Sequence, residues 1–198
     1  MKKIIIIFST FLTLLILLNA YLPNSFAQEP SLFSLPEGAN ARLGKGWINE
    51  LQYSSDGTRL AVATSIGVWL YDTRTYQEVA LLTEHTRGVN SVAFSPDSGT
   101  LASGGRDGNI DLWNATTGEH QQTLRGHTDA VYDIAFNVSG DTLASASADT
   151  TIILWNVAAG EQQQTLREHT DAVYDIAFNA SGDTLASASA DTTIILWN

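Results

Sequence analysis

The sequence predicts an all-β, propeller-type array of four four-stranded antiparallel blades, the last lacking its outer strand, and so an incomplete propeller. Three observations predict it. Near-identical segments recur at a period of 42 residues, His127 to Asn156 matching His169 to Asn198 except for Val138 against Ala180. Within each copy the apolar stretches are short, alternating or β-branched, which suits strands rather than helices. Clusters of Gly, Asn, Asp and Ser separate them at turn spacing. Looser copies run from His85 to Asn114 and from Trp47 to Asp72, the latter keeping Ile48, Leu51, Tyr53, Leu60 and Tyr71-Asp72. Blades are expected at about 47–82, 85–124, 127–166 and 169–198, within a repeat region of 44–198. A unit of this kind buries its apolar face only against its neighbours, so the repetition outranks any local reading.

The chain opens with a different kind of segment. Met1 to Ala27 has a basic start at Lys2 and Lys3, an apolar run from Ile4 to Leu18, and Ser25-Phe26-Ala27, with small residues where a signal peptidase inspects. The run of 15 residues is short of the ~20 that span a bilayer. An export signal cut before Gln28 is therefore expected, an uncleaved anchor being the alternative. The mature chain is placed outside the cytoplasm, periplasmic or secreted, with no membrane attachment after cleavage. Residues 28–43 form an N-terminal segment ahead of the first blade.

The third copy justifies the strands in order. Val131, Ile134 and Phe136 punctuate an inner strand, and Leu143, Ser145 and Ser147 alternate with Ala144, Ala146 and Ala148 in a second strand with compact side chains on both faces. Thr151 to Trp155 is apolar and β-branched, as a strand buried on both sides requires. Gln162-Gln163-Gln164-Thr165 is polar enough for an outer edge facing water. The expectation is a sheet most buried inside and wettest outside. Copy four stops at Asn198 after its third strand, and Ser31 to Leu43 could supply the missing one. An unfinished array, four-bladed closure and pairing between two chains all remain open.

Composition narrows the partners. The chain has no cysteine, so neither disulfide nor thiol chemistry is available. Without Lys2 and Lys3, 8 basic side chains face 21 acidic ones, a net of -13 that repels phosphate backbones and anionic lipid. Nucleic acid is not an expected partner. The histidines are not clustered and the aspartate turns lack the alternating carboxylates of a calcium loop, so no metal and no cofactor is expected. Asn114-Ala-Thr116, Asn137-Val-Ser139 and Asn179-Ala-Ser181 match a glycosylation pattern but read better as turn residues.

The repeat resembles the WD-repeat β-propellers, particularly exported bacterial ones, over about Leu43 to Asn198. The residues that carry the resemblance are Gly126-His127, Phe94-Ser95-Pro96-Asp97, Leu101-Ala102-Ser103-Gly104, Arg106-Asp107-Gly108 and Leu112-Trp113-Asn114. Departures are Glu84 and Glu168 in place of glycine before histidine, Asn after each closing Trp, and a first copy without the histidine.

Three copies carry His, Ser, Asp and Trp together: His85, Ser103, Asp107, Trp113; His127, Ser145, Asp149, Trp155; His169, Ser187, Asp191, Trp197. Ser147 and Ser189 are alternative serines. A hydrolase would need one serine, one base and one oxyanion hole in a pocket, not three copies of the set. The resemblance implies a structural tetrad in which Asp orients His, His donates across the sheet, Ser accepts and the indole N–H is satisfied. No catalytic residue is assigned, a hydrolase using one such set being the alternative reading.

Function is then expected at the blade rims. Asp129, Tyr132, Asp133 and Asp171, Tyr174, Asp175 stand where the inner strands begin, with Arg87, Asn90 and Ser91 in copy two and Arg106 opposite Ala148 and Ala190. Asp129 and Asp171 as plain turn residues compete with a tyrosine–carboxylate patch for a basic or carbohydrate partner. The expected function is an exported, non-catalytic scaffold that binds a protein, or a glycan, through one rim, with self-association through open blade edges. A piece of a larger multidomain protein with its function elsewhere is the third reading.

Overall fold

Fifteen strands follow one another without a helix among the described residues, in the order the repeat imposes. The computed structural model describes Leu35 and residues 37–198. The expected leader and its cleavage point before Gln28 lie outside the described residues.

Blade one comprises β1 (Ile48–Tyr53), β2 (Arg59–Thr64), β3 (Gly67–Asp72) and β4 (Glu78–Leu82). Blade two follows with β5 (Val89–Phe94), β6 (Thr100–Gly105), β7 (Asn109–Asn114) and β8 (His120–Arg125). Blade three has β9 (Val131–Phe136), β10 (Thr142–Ser147), β11 (Ile152–Asn156) and β12 (Glu161–Leu166), and blade four β13 (Val173–Phe178), β14 (Leu185–Ser189) and β15 (Ile194–Trp197). Each sheet is an antiparallel meander in sequence order, four strands in the first three and three in the last. Of Ser31 to Leu43, residues 31–34 and 36 lie outside the described residues and none of the others is in a strand.

The cores lie between blades, not within them. Leu143 and Trp155, on one face of blade three, pack with Ala102, Ile110, Leu112 and Leu124 of blade two. Ala144, Ala146 and Ile152, on the opposite face, pack with Val173, Ile176 and Leu185 of blade four. The alternation in β10 explains both contacts, because successive side chains leave opposite faces of a strand. Alanines on the downstream face let the next inner strand approach closely. Blades one and two repeat the arrangement, with Ala61, Ala63 and Leu70 against Val89, Val92 and Phe94.

One expectation needs correction. The inner strand is not the most buried: β9 alternates between buried Val131 and exposed Tyr132, whereas β10 is buried from Leu143 to Ser147. An inner strand has a sheet neighbour on one side only, and its other edge lines the cleft where the blades converge. The outer strand is as wet as expected, Glu161 to Gln164 being exposed.

Blade one departs where its sequence does. Tyr71 takes the place of the closing Trp and Val62 that of the serine. Leu43 packs on Val62, Trp69 and Tyr71, while the Tyr71 hydroxyl accepts from the Gly44 amide at 3.0 Å and the Trp69 indole donates to the Lys45 carbonyl at 3.1 Å. Ile48, Leu51 and Tyr53 on the same face are exposed among the described residues.

Candidate functional site

The three sets of His, Ser, Asp and Trp form one geometry repeated. In blade three the Trp155 indole N–H donates to Ser145 Oγ at 2.8 Å, and Ser145 Oγ lies 2.8 Å from His127 Nε2. His127 Nδ1 lies 2.9 Å from Asp149, whose carboxylate also accepts the Thr128 amide at 2.9 Å. In blade two the distances are 2.9 Å from Trp113 to Ser103, 2.8 Å from Ser103 to His85 and 3.1 Å from His85 to Asp107. In blade four they are 2.9, 2.8 and 2.7 Å through Trp197, Ser187, His169 and Asp191. The indole donates to the serine, and the carboxylate, which can only accept, takes the Nδ1–H; a neutral imidazole protonated at Nδ1 then accepts the serine hydroxyl at Nε2, the reverse of the expected donation from His to Ser.

The serine in the chain is Ser145 and not Ser147, whose hydroxyl donates instead to the Asp129 carbonyl at 3.1 Å. Blade four repeats this, Ser189 donating to the Asp171 carbonyl at 3.0 Å. A nucleophile must reach its substrate, and these sets are enclosed: Ser103, Ser145 and Ser187 are buried, and the side chains of His85, His127 and His169 are 0, 0 and 1% exposed. Their chemistry is tertiary hydrogen bonding that ties the loop before each inner strand to the body of the blade. Blade two adds a variation. Its buried Asp111 accepts from His120 Nε2 at 3.0 Å and lies 3.4 Å from His85 Nε2. Thr150 and Thr192 hold a φ of 72° at the turn position where Gly108 holds 80°.

The rim residues divide into two groups. Arg106 donates to Asn90 Oδ1 at 2.9 Å, Asn90 reaches across to the Val131 carbonyl at 2.8 Å, and Arg87 lies 3.5 Å from the Arg106 carbonyl. Asp129 and Asp171 each accept the next amide, from Ala130 and Ala172, at 2.7 Å. Between blades three and four the rings of Tyr132 and Tyr174 meet at 5.2 Å with exposed faces. The exposed tyrosine pair and the flanking carboxylates thus share one end of the inner strands.

Asp133 has a different position from the one expected. It stands in a cleft of about 530 Å³ lined also by Glu50 and Asp175. Its carboxylate accepts the Ile176 amide of the next blade at 2.9 Å and the Ser91 hydroxyl of the previous one at 3.1 Å. Glu50 accepts the Val92 amide at 2.8 Å, and Ser91 Oγ the Ile134 amide at 3.3 Å. Sequence reasoning missed this bracket. Its signal was a polar residue at the third position of every inner strand: Glu50, Ser91, Asp133, Asp175.

Environment drives these carboxylates apart. Burial works against the charge of Asp149, but hydrogen bonds from His127, Thr151 and the Thr128 amide outweigh it and hold the carboxyl well below its ordinary range. Asp191 is held down by Thr193, against some burial, together with His169. In Asp107 burial is likewise outweighed, by the Thr86 amide and His85. Asp133 goes the other way: burial first, then the Asp175 carboxyl and the Glu50 charge, push it up to about 7 despite the Ile176 and Ser91 bonds.

The signs are opposite. The depressed tetrad aspartates stabilise the fold above the ordinary value of 3.8, and that contribution is lost as pH falls below it. The raised Asp133 contributes stability that is complete below 3.8 and lost as pH rises towards about 7. Asp133→Asn keeps an oxygen for the Ile176 amide and removes the charge. It is expected to flatten the fall in melting midpoint between about pH 4 and 7 and to raise the midpoint at pH 8. Thermal melts across that range check it, and an unchanged slope would refute it.

Residues 76–114, 118–156 and 160–198 match the family described as WD domain, G-beta repeat. Each match takes the outer strand of one blade with three strands of the next, so a repeat straddles a junction. The chain is 31% identical over 93 residues to WD repeat-containing protein 1 of Mus musculus, covering 45% of this chain and 15% of that protein. It is 30% identical over 87 residues to the Periodic tryptophan protein 2 homolog of Dictyostelium discoideum, covering 38% and 9%. Over 38 residues it is 53% identical to WD repeat-containing protein 1-B of Xenopus laevis, covering 19% and 6%. The chain spans less than a sixth of the length of these relatives.

Proposed function

The chain belongs to the WD-repeat family, and from that premise we propose that it is a non-catalytic scaffold that binds a protein partner through its rim and associates with further copies of itself. The observation that carries the rim reading is the contrast between the enclosed tetrads and the exposed Tyr132–Tyr174 pair. Two rings with polar tips, held at adjacent inner strands and flanked by Asp129 and Asp171, offer contact area at small entropic cost and favour a basic partner surface. The same ring faces suit a glycan, which makes that the second reading. Export and the bacterial character rest on Met1 to Ala27 alone, the relatives compared being eukaryotic. The proposed domain layout is a leader at 1–27, a segment at 28–43 and blades from 44 to 198.

One experiment tests export and binding together. The chain is expressed with its leader, and the recovered product is weighed intact and used as bait beside Tyr132→Ser/Tyr174→Ser. The expected result is a mature chain beginning at Gln28 and a captured protein that the double variant loses while melting as the wild type does. A full-length, membrane-retained product overturns export. Equal capture by both baits overturns the rim, and capture abolished by free oligosaccharide selects the glycan.

A further inference from the structure

Blades two and three each have a blade packed on either side, so what their rims expose is exposed with both neighbours in place. The repeat makes the two rims comparable position by position. Blade two carries Arg87, Asn90 and Arg106 where blade three carries Asp129, Tyr132 and Ala148. The backbone beneath is the same: the Arg106 amide donates to the Gly88 carbonyl at 2.9 Å, and the Ala148 amide to the Ala130 carbonyl at 2.9 Å. What differs is the charge, two guanidiniums on one blade and a carboxylate on the next.

The two arginines are held in place without being neutralised. Arg106 Nε donates to Asn90 Oδ1 at 2.9 Å, and Arg87 Nη1 stands 3.5 Å from the Arg106 carbonyl, so both exposed side chains meet at one turn. Lys45 pairs with Glu78 and Arg59 with Asp72, but among the described residues neither of these guanidiniums pairs with a carboxylate, in a chain with 21 acidic side chains against 10 basic. The bond to Asn90 occupies Nε and leaves the two terminal nitrogens of Arg106 as the fork that fits the two oxygens of a carboxylate. Asn90 is pinned in turn, its amide donating to the Val131 carbonyl at 2.8 Å, which ties the arginine pair to the strand that carries Tyr132.

We infer that the blade-two rim is a carboxylate-binding site, and that the partner segment crosses from blade two to blade three with an Asp or Glu side chain on Arg87 and Arg106 and a Lys or Arg side chain at Asp129. Such a site rests on the rim binding proposed above and gives the partner a charge pattern, acid over blade two and base over blade three. A purely basic surface would bring like charge onto the two guanidiniums, whereas a segment of mixed sign meets each blade with the opposite one.

The test pans a phage-displayed library of random peptides on the chain as it accumulates in its expressing host and on Arg87→Asp/Arg106→Ala. That variant gives blade two the residues blade three uses at the same positions and is expected to melt as the wild type does. The wild type is expected to enrich peptides that carry both an acidic and a basic residue, and the variant to enrich basic residues alone. A synthetic copy of the most enriched peptide, titrated by fluorescence anisotropy, is expected to bind Arg106→Ala about tenfold more weakly, through loss of one charge-assisted pair. Glutamine in place of its acidic residues should cause a similar loss with the wild type and none with Arg87→Asp/Arg106→Ala. Enrichment of basic peptides alone by the wild type, or an acidic preference that survives in Arg87→Asp/Arg106→Ala, overturns the blade-two site and leaves the tyrosine rim standing. Enrichment that Tyr132→Ser/Tyr174→Ser does not diminish overturns the tyrosine rim and not the arginine pair, and no enrichment of any peptide overturns both.

Discussion

Trp155→Ala is expected to lower stability by about 3 to 5 kcal/mol. The indole is 1% exposed and packs in the core shared by blades two and three. Truncation empties that volume and also leaves Ser145 Oγ without the donor now at 2.8 Å. Trp155→Phe keeps one six-membered ring and loses the N–H with the rest of the indole, so it is expected to cost less than alanine, about 1 kcal/mol for the bond plus a smaller cavity cost. Denaturant melts measure both. If the midpoint of the alanine variant barely moves, the hydrogen-bonded chain from Trp155 to Asp149 contributes nothing to stability and the repeated geometry needs another explanation.

Gly67→Ala is expected to cost about 2 to 4 kcal/mol, from backbone strain and overpacking together. Gly67 opens β3 after a two-residue turn and holds a φ of 139°, which an L side chain rarely adopts. A methyl group there would run into the Leu82 carbonyl oxygen, a backbone atom that moves only if β4 does. Leu82 is 3% exposed in the core between blades one and two, so displacing β4 loosens a junction as well as a strand pair. Gly57→Ala is the control. Its φ is 70°, yet a Cβ there meets nothing within 4 Å, so it carries strain alone at about 1 kcal/mol. Equal effects for the two variants would show that the contact with Leu82 is relieved at little cost.

Most of the strand layout was legible because each strand obeys a local rule. The polar run Gln162 to Gln164 reads as an outer edge and is one, and the alternation through Leu143, Ala144 and Ser145 reads as a strand packed on both faces and is one. The tetrad was legible by repetition, since three histidines stand at the same distance ahead of three aspartates. Asp133 was misplaced at the rim because its environment is made by Ser91 and Ile176, which lie 42 and 43 residues away in the chain. No window of local sequence contains the three together.

The sequence by itself determined the repeat, the period-two pattern that sends alternate side chains to opposite faces, and the residue types in each tetrad. It could not choose between Ser145 and Ser147, because residues two apart leave a strand on the same face. Only the placement of His127 and Trp155 around β10 selects the first and leaves the second to the Asp129 carbonyl. Nor could it tell Ile152 from Ile194, which stand in the same nine-residue stretch, Ala148 to Asn156 and Ala190 to Asn198. One is buried and the other exposed, since burial belongs to the surface that a neighbouring blade supplies and not to the residue.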